Sequence, residues 1–438
     1  MEQTRDDKFP RTLDHLKIIV QTQIIKDPLT DYQTGPDRVI HNGVYVSGPV
    51  PAATDPVPRL EQPHPAIFWS LTHPDGGGIR GISSLLILEH LMEEMRKAQG
   101  LEHVPRPCEC FDFIGGTSTG GYRHSIIAIM LGRLRMTVNE CIREYREVAQ
   151  KAFTPKRTTI FPASPKGAFS ATALEEAVKN TSRKFCTAAD CAGQRQQGIA
   201  TDRACPHRDL ELRDPGCTKT FLKYVMGDSP CPSAVLAITK DNVDAPPTLL
   251  TTYDTSEGFR GCSIWEVARA TSAATTFFKP IRVGRDEIEF VDAGFGYNNP
   301  CEILVNEAQK QFPSHTRLQV LSIGTGLGDV VSIGKTRMDI VRALKSMATS
   351  SKKVAARMDQ QYGDSHQYFR FNVDKGLEDV TLSDWEKSST ISAHTRNYID
   401  ENRRAIAHFV DHFTSRIVAQ PRPVLAELGG RPVTETST

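Results

Sequence analysis

Short apolar runs alternate with longer amphipathic stretches from residue 66 onward. Runs of strand length lie at residues 66–72, 111–116, 233–240, 247–254, 287–294 and 317–326. Residues 83–99 and 263–274 carry apolar side chains at helical spacing, and the capping-box pair Thr137 and Glu140 predicts the start of another helix. Strands that alternate with helices predict an α/β fold with a mostly parallel, doubly wound sheet and helices on both faces.

Proline marks the boundary before this alternating pattern. Residues 47–65 contain six prolines, which forbid a regular element and indicate a linker. An amphipathic helix is predicted around residues 13–25. The predicted division of the chain is an N-terminal extension with the linker at 1–65, the main domain at 66–330, a helical segment packed on it at 331–415, and a polar tail at 416–438.

Charge narrows the classes of function. The charges of the 53 basic and 52 acidic residues nearly cancel, so the chain has no overall electrostatic field that would attract nucleic acid. No apolar run reaches the roughly 18 residues that span a bilayer, and the first 30 residues are charged where a signal peptide would be apolar. We therefore expect a cytoplasmic protein without a transmembrane segment, with peripheral contact to membranes left open.

The ten cysteines are expected to be reduced thiols in a chain of this kind. One polar stretch contains five of them together with a histidine: Cys186, Cys191, Cys205, His207, Cys217 and Cys231. A zinc site is one interpretation. Because the stretch contains no C-x-x-C pair, a surface insertion is the favoured one, and no metal or other cofactor is expected.

A G-x-S-x-G pentapeptide, Gly116-Thr117-Ser118-Thr119-Gly120, stands where a predicted strand ends and a helix begins. This is the context that a nucleophile elbow requires, and the helix N-terminus favours negative charge that develops at the serine. By itself the pentapeptide is a weak signal, and a glycine-rich structural turn is the favoured interpretation.

A glycine-rich loop, Asp75-Gly76-Gly77-Gly78-Ile79-Arg80-Gly81, lies between a strand and a helix. Its successive N–H groups suit the oxyanion of a tetrahedral acyl intermediate. The loop also spells G-x-G-x-x-G. A dinucleotide site is disfavoured because no second strand ending in an acidic residue follows at the required distance.

A third motif, Asp292-Ala293-Gly294, ends a predicted strand. At the carboxyl edge of a parallel sheet, this carboxylate could accept the proton of the serine. Taken alone, the motif is better interpreted as a capping or turn aspartate.

Together the three motifs resemble the patatin-like phospholipase family over residues 66–328. The resemblance implies a three-layer fold related to α/β-hydrolases and hydrolysis of carboxylic esters in glycerolipids and phospholipids at a membrane surface. It implies Ser118 as nucleophile, Asp292 as proton acceptor, and an oxyanion hole of Gly76, Gly77 and Gly78 without metal. Arg80 resembles the residue that anchors the glycine loop, with contact to a phosphate as a further possibility, and residues 268–274 resemble a block packed near the site.

A conventional triad is the alternative to this Ser–Asp dyad, because histidines follow Asp292 in the sequence. The candidates are His315, His366, His394, His408 and His412. None of them stands in a recognisable loop after a strand, so the dyad is favoured.

The chain departs from the family pattern at residues 72–74, 122–125 and 221–235, which are interpreted as additions. They fit either divergence or translated intron sequence, and the second is favoured. If the additions displace the site, the alternative function is a catalytically impaired lipid-binding or signalling scaffold. Basic residues between 335 and 357 suggest a helix that meets an anionic membrane, although a solvated helix packed on the sheet is the commoner explanation.

Overall fold

The computed structural model describes a large part of the chain between residues 39 and 418. The described residues are 39–41, 44–46, 68–71, 78–117, 124–153, 169–188, 191, 194, 205, 207, 209–212, 231–242, 245–253, 257–273, 278–292, 297–312, 318–326, 338–380 and 384–418. The predicted helix at 13–25 and the predicted tail at 416–438, apart from its first three residues, lie outside them.

Ten strands are assigned within the described residues. They are β1 (Val39–His41), β2 (Val44–Val46), β3 (Phe68–Leu71), β4 (Phe113–Thr117), β5 (Ser233–Thr239), β6 (Thr248–Thr251), β7 (Ile281–Val283), β8 (Ile288–Asp292), β9 (Val320–Ile323) and β10 (Tyr368–Phe371). The first two form a small antiparallel sheet of their own, and the other eight form one larger sheet.

The helices that surround the larger sheet are α1 (Gly81–Gln99), α2 (Pro107–Cys110), α3 (His124–Ala128), α4 (Val138–Phe153), α5 (Ala171–Lys184), α6 (Ile264–Thr271), α7 (Cys301–Gln311), α8 (Met338–Tyr362), α9 (Ser388–Glu401) and α10 (Arg403–Val418). A π-helical turn, Ile129–Arg133, continues α3. The predicted capping box before α4 is confirmed, because the Glu140 N–H donates to Thr137 Oγ1 at 3.2 Å and the Thr137 N–H donates to Glu140 Oε2 at 2.8 Å.

The larger sheet is mixed. β10, β9, β3, β4 and β5 pair in parallel, whereas β6, β8 and β7 pair antiparallel with their neighbours. The α/β class is therefore confirmed, but the mostly parallel, doubly wound arrangement is not. An apolar run predicts the length and burial of a strand and carries no information on its direction, so the sequence pattern does not reveal the antiparallel part.

Alternate residues of the strands belong to two different hydrophobic clusters. Ile114, Val235 and Phe290 pack with α1, α4, α6, α9 and α10. Their chain neighbours Phe113 and Leu236 pack with α7 and α8. Because side chains alternate between the faces of a strand, the two clusters lie on the two faces of the sheet.

Residues after 330 contribute to the same core. β10 pairs with β9 in parallel, and α9 and α10 pack on α1 through Ile391, Phe409 and Phe413. Among the described helices, none combines the length and the apolar character needed to cross a bilayer.

Candidate active site

The strand that leads to the G-x-S-x-G motif is buried along its whole length. β4 ends at Thr117, one residue before Ser118. Within β4, Gly116 pairs with Leu71 on one side and with Val235 on the other. Residues 118–123, which include Ser118 and Gly120, lie outside the described residues. The structure therefore fixes the point from which the predicted elbow departs.

Gly115 allows a helix to approach this strand closely. A Cβ at Gly115 would come within 2.6 Å of Leu304 Cδ1 on α7 and 3.1 Å of the Ala234 carbonyl oxygen. These distances leave no room for a methyl group. The glycine thus serves the packing of α7 under the end of β4.

Asp292 is the last residue of β8, as the sequence predicts, but the strand runs the other way. β8 pairs antiparallel with β5, and Asp292 lies opposite Ala237. The expectation that a parallel strand delivers Asp292 to the carboxyl edge of the sheet is therefore wrong. Gly294 lies outside the described residues.

The pairing register shows which edge of β5 each neighbour occupies. Ala237 pairs with Thr248 of β6 and also with Asp292 of β8, so β6 and β8 lie on opposite edges of β5. β4 and β6 both pair along residues 234–236 of β5, so they also lie on opposite edges. β4 and β8 consequently share one edge of β5.

Backbone hydrogen bonds of β5 agree with this assignment, because N–H and C=O groups of alternate residues point to opposite edges of a strand. Pro232 O accepts from the Ile114 N–H of β4, and the Lys240 N–H donates to Glu289 O in β8. Because Pro232 and Lys240 are both even-numbered, their backbone groups point to the same edge of β5, where β4 and β8 lie. Ser233, which is odd-numbered, accepts instead from Thr252 beside β6.

β4 and β8 therefore run toward each other along one edge of β5, with their carboxyl ends facing. Thr117 is level with Leu236, and Asp292 is level with the next residue, Ala237. One residue of register corresponds to about 3.4 Å along a strand. The backbone thus brings the residue before Ser118 and the backbone of Asp292 to one place in the sheet.

The glycine-rich loop begins beside the same place. β3 ends at Leu71, which pairs with Gly116 of β4. Residues 72–77, including Gly76 and Gly77, lie outside the described residues, and the backbone resumes with a 3-10 turn at Gly78–Arg80 before Gly81 opens α1. The expected oxyanion loop therefore connects β3, which pairs with β4, to the turn that precedes α1.

Arg80 is held in the protein interior and is only 5% exposed. Its Nε and Nη2 donate to the Val380 carbonyl oxygen at 2.9 and 2.5 Å, and Nη1 donates to the Gly326 carbonyl oxygen at 3.2 Å. These bonds tie the start of α1 to the segments after β9 and β10. These three guanidinium hydrogen bonds are all made to backbone carbonyls.

The helix after the motif contains part of the predicted addition at 122–125. α3 begins at His124, and Ser125 is fully buried within it. The π-helical turn follows at once, with Leu134 N–H donating to Ile129 O. Since a π-turn accommodates one more residue than an α-turn, this helix departs from regular α-helical geometry just behind the motif.

The patatin-like phospholipase family model matches residues 75–305, which is more than half of the 438-residue chain. The chain belongs to this family. All three sequence motifs lie inside the matched region.

Relatives named as phospholipases or as patatin-like proteins match a large part of the chain. Calcium-independent phospholipase A2-gamma of Homo sapiens is 24% identical over 369 residues, covering 81% of this chain and 40% of the human protein. Patatin-like protein 2 of Arabidopsis thaliana is 26% identical over 299 residues, covering 62% of this chain and 63% of the plant protein. Probable inactive patatin-like protein 9 of Arabidopsis thaliana is 27% identical over 270 residues, covering 58% of this chain and 59% of that protein.

The chain thus spans about 40% of the length of the human relative. The name of the human protein describes a phospholipase, and that of patatin-like protein 9 describes a probable inactive member.

The block that resembles a patatin-like packing element forms the end of α6 and the two residues after it. Ala268 and Ala270 are fully buried, and α6 packs on β5, β8 and α3. The small side chains allow this close approach to the strand that ends in Asp292. Residues beyond 273 of the block lie outside the described residues.

Three of the histidines considered for a triad cluster far from β4. The rings of His366, His408 and His412 lie with centroids 4.9 to 6.2 Å apart, beside Phe369. This cluster stands at the amino end of β10. Because β10 runs parallel to β4, the amino end of β10 lies at the end of the sheet opposite to Thr117, which is at the carboxyl end of β4.

The other two candidates are His394 and His315. His394 lies in α9 and packs against Gly376, where a Cβ would overlap its imidazole ring. His315 lies outside the described residues.

One group of residues that the sequence patterns disfavoured as a site is brought together by the fold. Ligand atoms of Cys186, Cys191, Cys205 and His207 all lie within 4.8 Å of one another. The sequence pattern favoured a surface insertion here, and the fold brings four of its potential metal ligands together. The spacing of these residues is irregular, and the mixed set of three cysteines and one histidine was the only sequence signal.

Proposed function

We propose that this protein hydrolyses carboxylic esters of glycerolipids and phospholipids through a Ser118 acyl-enzyme, with Asp292 as the base. The observation that supports this proposal best is the end-to-end meeting of β4 and β8 along one edge of β5. Ser118 follows the last residue of one strand, and Asp292 is the last residue of the other.

In the proposed first step, the Asp292 carboxylate accepts the proton of the Ser118 hydroxyl while the serine oxygen attacks the ester carbonyl. The N–H groups of Gly76, Gly77 and Gly78 stabilise the resulting oxyanion. The tetrahedral intermediate collapses, the C–O bond to the leaving alcohol breaks, and the alcohol takes the proton. Water then attacks the acyl-enzyme in the same way and releases the fatty acid.

An aspartate with an ordinary pKa of about 3.9 is a weak base at neutral pH. Positioning and oxyanion stabilisation must therefore supply most of the acceleration. β4 and β8 are both paired with β5 where they meet, and this pairing would hold the backbone of Asp292 in a fixed position. The family match to residues 75–305 supports the same assignment of roles.

We also propose that the lipid substrate is reached at a membrane surface through basic residues of α8. Lys352 and Lys353 are exposed on this helix. The preceding residue, Ser351, is buried and accepts a hydrogen bond at 2.5 Å from Asn298, which lies six residues after Asp292. The basic part of α8 is thus anchored to the segment that follows the proposed base, and anionic lipid would attract it.

The proposal is tested by measuring fatty acid release from phospholipid vesicles with the full-length protein. Ser118→Ala should reduce the rate by roughly 10⁴-fold or more, since it removes the covalent intermediate. Ser125→Ala is the matched control, because this buried serine lies in α3 and its Oγ has no hydrogen-bond partner among the described residues.

Full activity in Ser118→Ala would contradict the assigned nucleophile. A wild-type protein that binds the vesicles, folds normally and releases no fatty acid would instead support the scaffold alternative.

A further inference from the structure

Three sulfur atoms surround one imidazole nitrogen in the connection after α5. His207 Nδ1 lies 3.5 Å from Cys186 Sγ, 3.6 Å from Cys191 Sγ and 3.6 Å from Cys205 Sγ. The Cys191 and Cys205 sulfurs are 3.6 Å apart. All three cysteines are buried, and His207 is partly buried. The four potential ligand atoms thus all lie within 4.8 Å of one another.

These separations fit a tetrahedral zinc ion. Zinc–sulfur bonds of about 2.3 Å and a zinc–nitrogen bond of about 2.05 Å place sulfurs about 3.8 Å apart, and sulfur and nitrogen about 3.6 Å apart, at tetrahedral angles. The four separations given above lie within about 0.2 Å of these distances, and the other two sulfur pairs lie within 4.8 Å. A disulfide would instead require sulfurs about 2.05 Å apart.

Ordinary burial of thiols does not account for this arrangement. Cys231, by contrast, is a buried thiol whose Sγ donates to the Phe111 carbonyl oxygen. In the cluster, three sulfurs converge on the same ring nitrogen. The Ala188 backbone also donates a hydrogen bond to Cys186, an interaction that stabilises a thiolate ligand.

We propose that Cys186, Cys191, Cys205 and His207 bind one zinc ion. Three soft thiolates and one imidazole select zinc over calcium or magnesium, which prefer oxygen ligands. The three thiols release their protons when the ion binds. Four protein ligands leave no open coordination position, so the ion is structural and takes no part in ester hydrolysis.

Arg133 links this zinc site to the helix behind the G-x-S-x-G motif. It ends the π-helical turn and is 4% exposed. Its Nη1 donates to Thr187 Oγ1, next to the first ligand. Its Nε and Nη2 donate to the carbonyl oxygens of Leu212 at 2.9 Å and Glu211 at 3.0 Å, shortly after the last ligand. An ion that closes the connection from 186 to 207 therefore also holds both anchors of Arg133 in place.

The direct test is the zinc content of the full-length protein, produced without a metal-binding tag in zinc-supplemented medium and measured by mass spectrometry of the elements. We expect one zinc per chain. Cys205→Ser and His207→Ala should each lose most of the zinc and lower the thermal midpoint. Cys108→Ser is the matched control, because burial raises the pKa of the Cys108 thiol to about 11 and this residue lies outside the cluster. It should retain one zinc per chain.

A wild-type protein without stoichiometric zinc, or ligand variants with unchanged zinc, would overturn the proposal. If the variants fail to fold, the site is tested in the wild-type protein after zinc has been replaced by cobalt. A visible spectrum of tetrahedral cobalt with thiolate charge-transfer bands is expected. A spectrum without those bands, or a Cys191–Cys205 disulfide found in the freshly purified protein under non-reducing conditions, would show that these residues do not form the zinc site.

Discussion

Thr117 and Asp292 end two strands that run toward each other along the same edge of β5, one residue apart in register. A parallel strand and an antiparallel strand thereby deliver their carboxyl ends to one point. Ser118 follows Thr117 directly in the sequence. This arrangement relates two of the sequence motifs, which are separated by more than 170 residues, through the pairing of a single central strand.

Asp292→Asn should lower the rate of fatty acid release by roughly 10²–10⁴-fold, because an amide cannot accept the proton of Ser118. The fold should remain, since the two side chains have the same shape. His366→Ala and His394→Ala are the controls, and each should retain nearly all activity. The measurement is the initial rate on phospholipid vesicles together with a thermal midpoint for each variant. A folded histidine variant as inactive as Asp292→Asn would favour a triad.

Catalysis should not depend on calcium. In excess of a calcium-selective chelator the initial rate should stay unchanged, because the glycine-loop amides are proposed to stabilise the oxyanion. Stripping zinc with a stronger chelator should lower the thermal midpoint, with loss of activity only as the protein unfolds. A calcium-dependent phospholipase in the same assay verifies that chelation is complete. Activity lost with the calcium-selective chelator and restored by calcium would contradict this prediction.

Gly132→Ala should destabilise the protein by about 1–3 kcal/mol, the usual range for overpacking a core. A Cβ at Gly132 would overlap Ser233 Oγ and lie 3.1 Å from Ser233 Cβ, where the π-helical turn crosses β5. Urea unfolding of Gly132→Ala, Ser233→Ala and the double variant measures the coupling. The double variant should be more stable than the sum of the two single effects predicts. Simple additivity would show that the two positions do not clash.

Arg80→Lys should lower the free energy of unfolding by roughly 1.5–3 kcal/mol, because one ammonium group cannot replace the bonds to the carbonyls of Val380 and Gly326. Arg403→Lys is the control, since Arg403 is exposed and pairs only with Asp400 at the surface in the contacts described. Its effect should stay within about 0.5 kcal/mol. An Arg80→Lys protein of normal stability with a raised KM for phospholipids alone would indicate a phosphate-binding role instead.

Much of the central fold could be predicted from the sequence. The apolar runs around Phe113 and Val291 correspond to β4 and β8, and the stretch after Gly81 forms α1. The direction of β8 could not be predicted, because an apolar run has the same pattern whether the strand is parallel or antiparallel to its neighbour. β7 and β10 have three and four residues, and such short strands leave little periodicity to detect.

The cysteine cluster shows a different limit. Cys186 and Cys191 are separated from Cys205 by more than ten residues, and no regular spacing connects them to His207. Their convergence depends on the path of the chain between α5 and α6, which is fixed partly by Arg133 and the pairing of Glu211 with Ser263. Such long-range contacts leave no local pattern in the sequence.

The most direct test of the proposed mechanism is covalent labelling by a fluorophosphonate, followed by peptide mapping of the full-length protein. The reagent forms a stable adduct with an activated serine hydroxyl. We predict one adduct per chain, located on Ser118, that is absent in Ser118→Ala and strongly slowed in Asp292→Asn. Labelling of a different residue, or a rate of labelling at Ser118 that is unchanged in Asp292→Asn, would contradict the account.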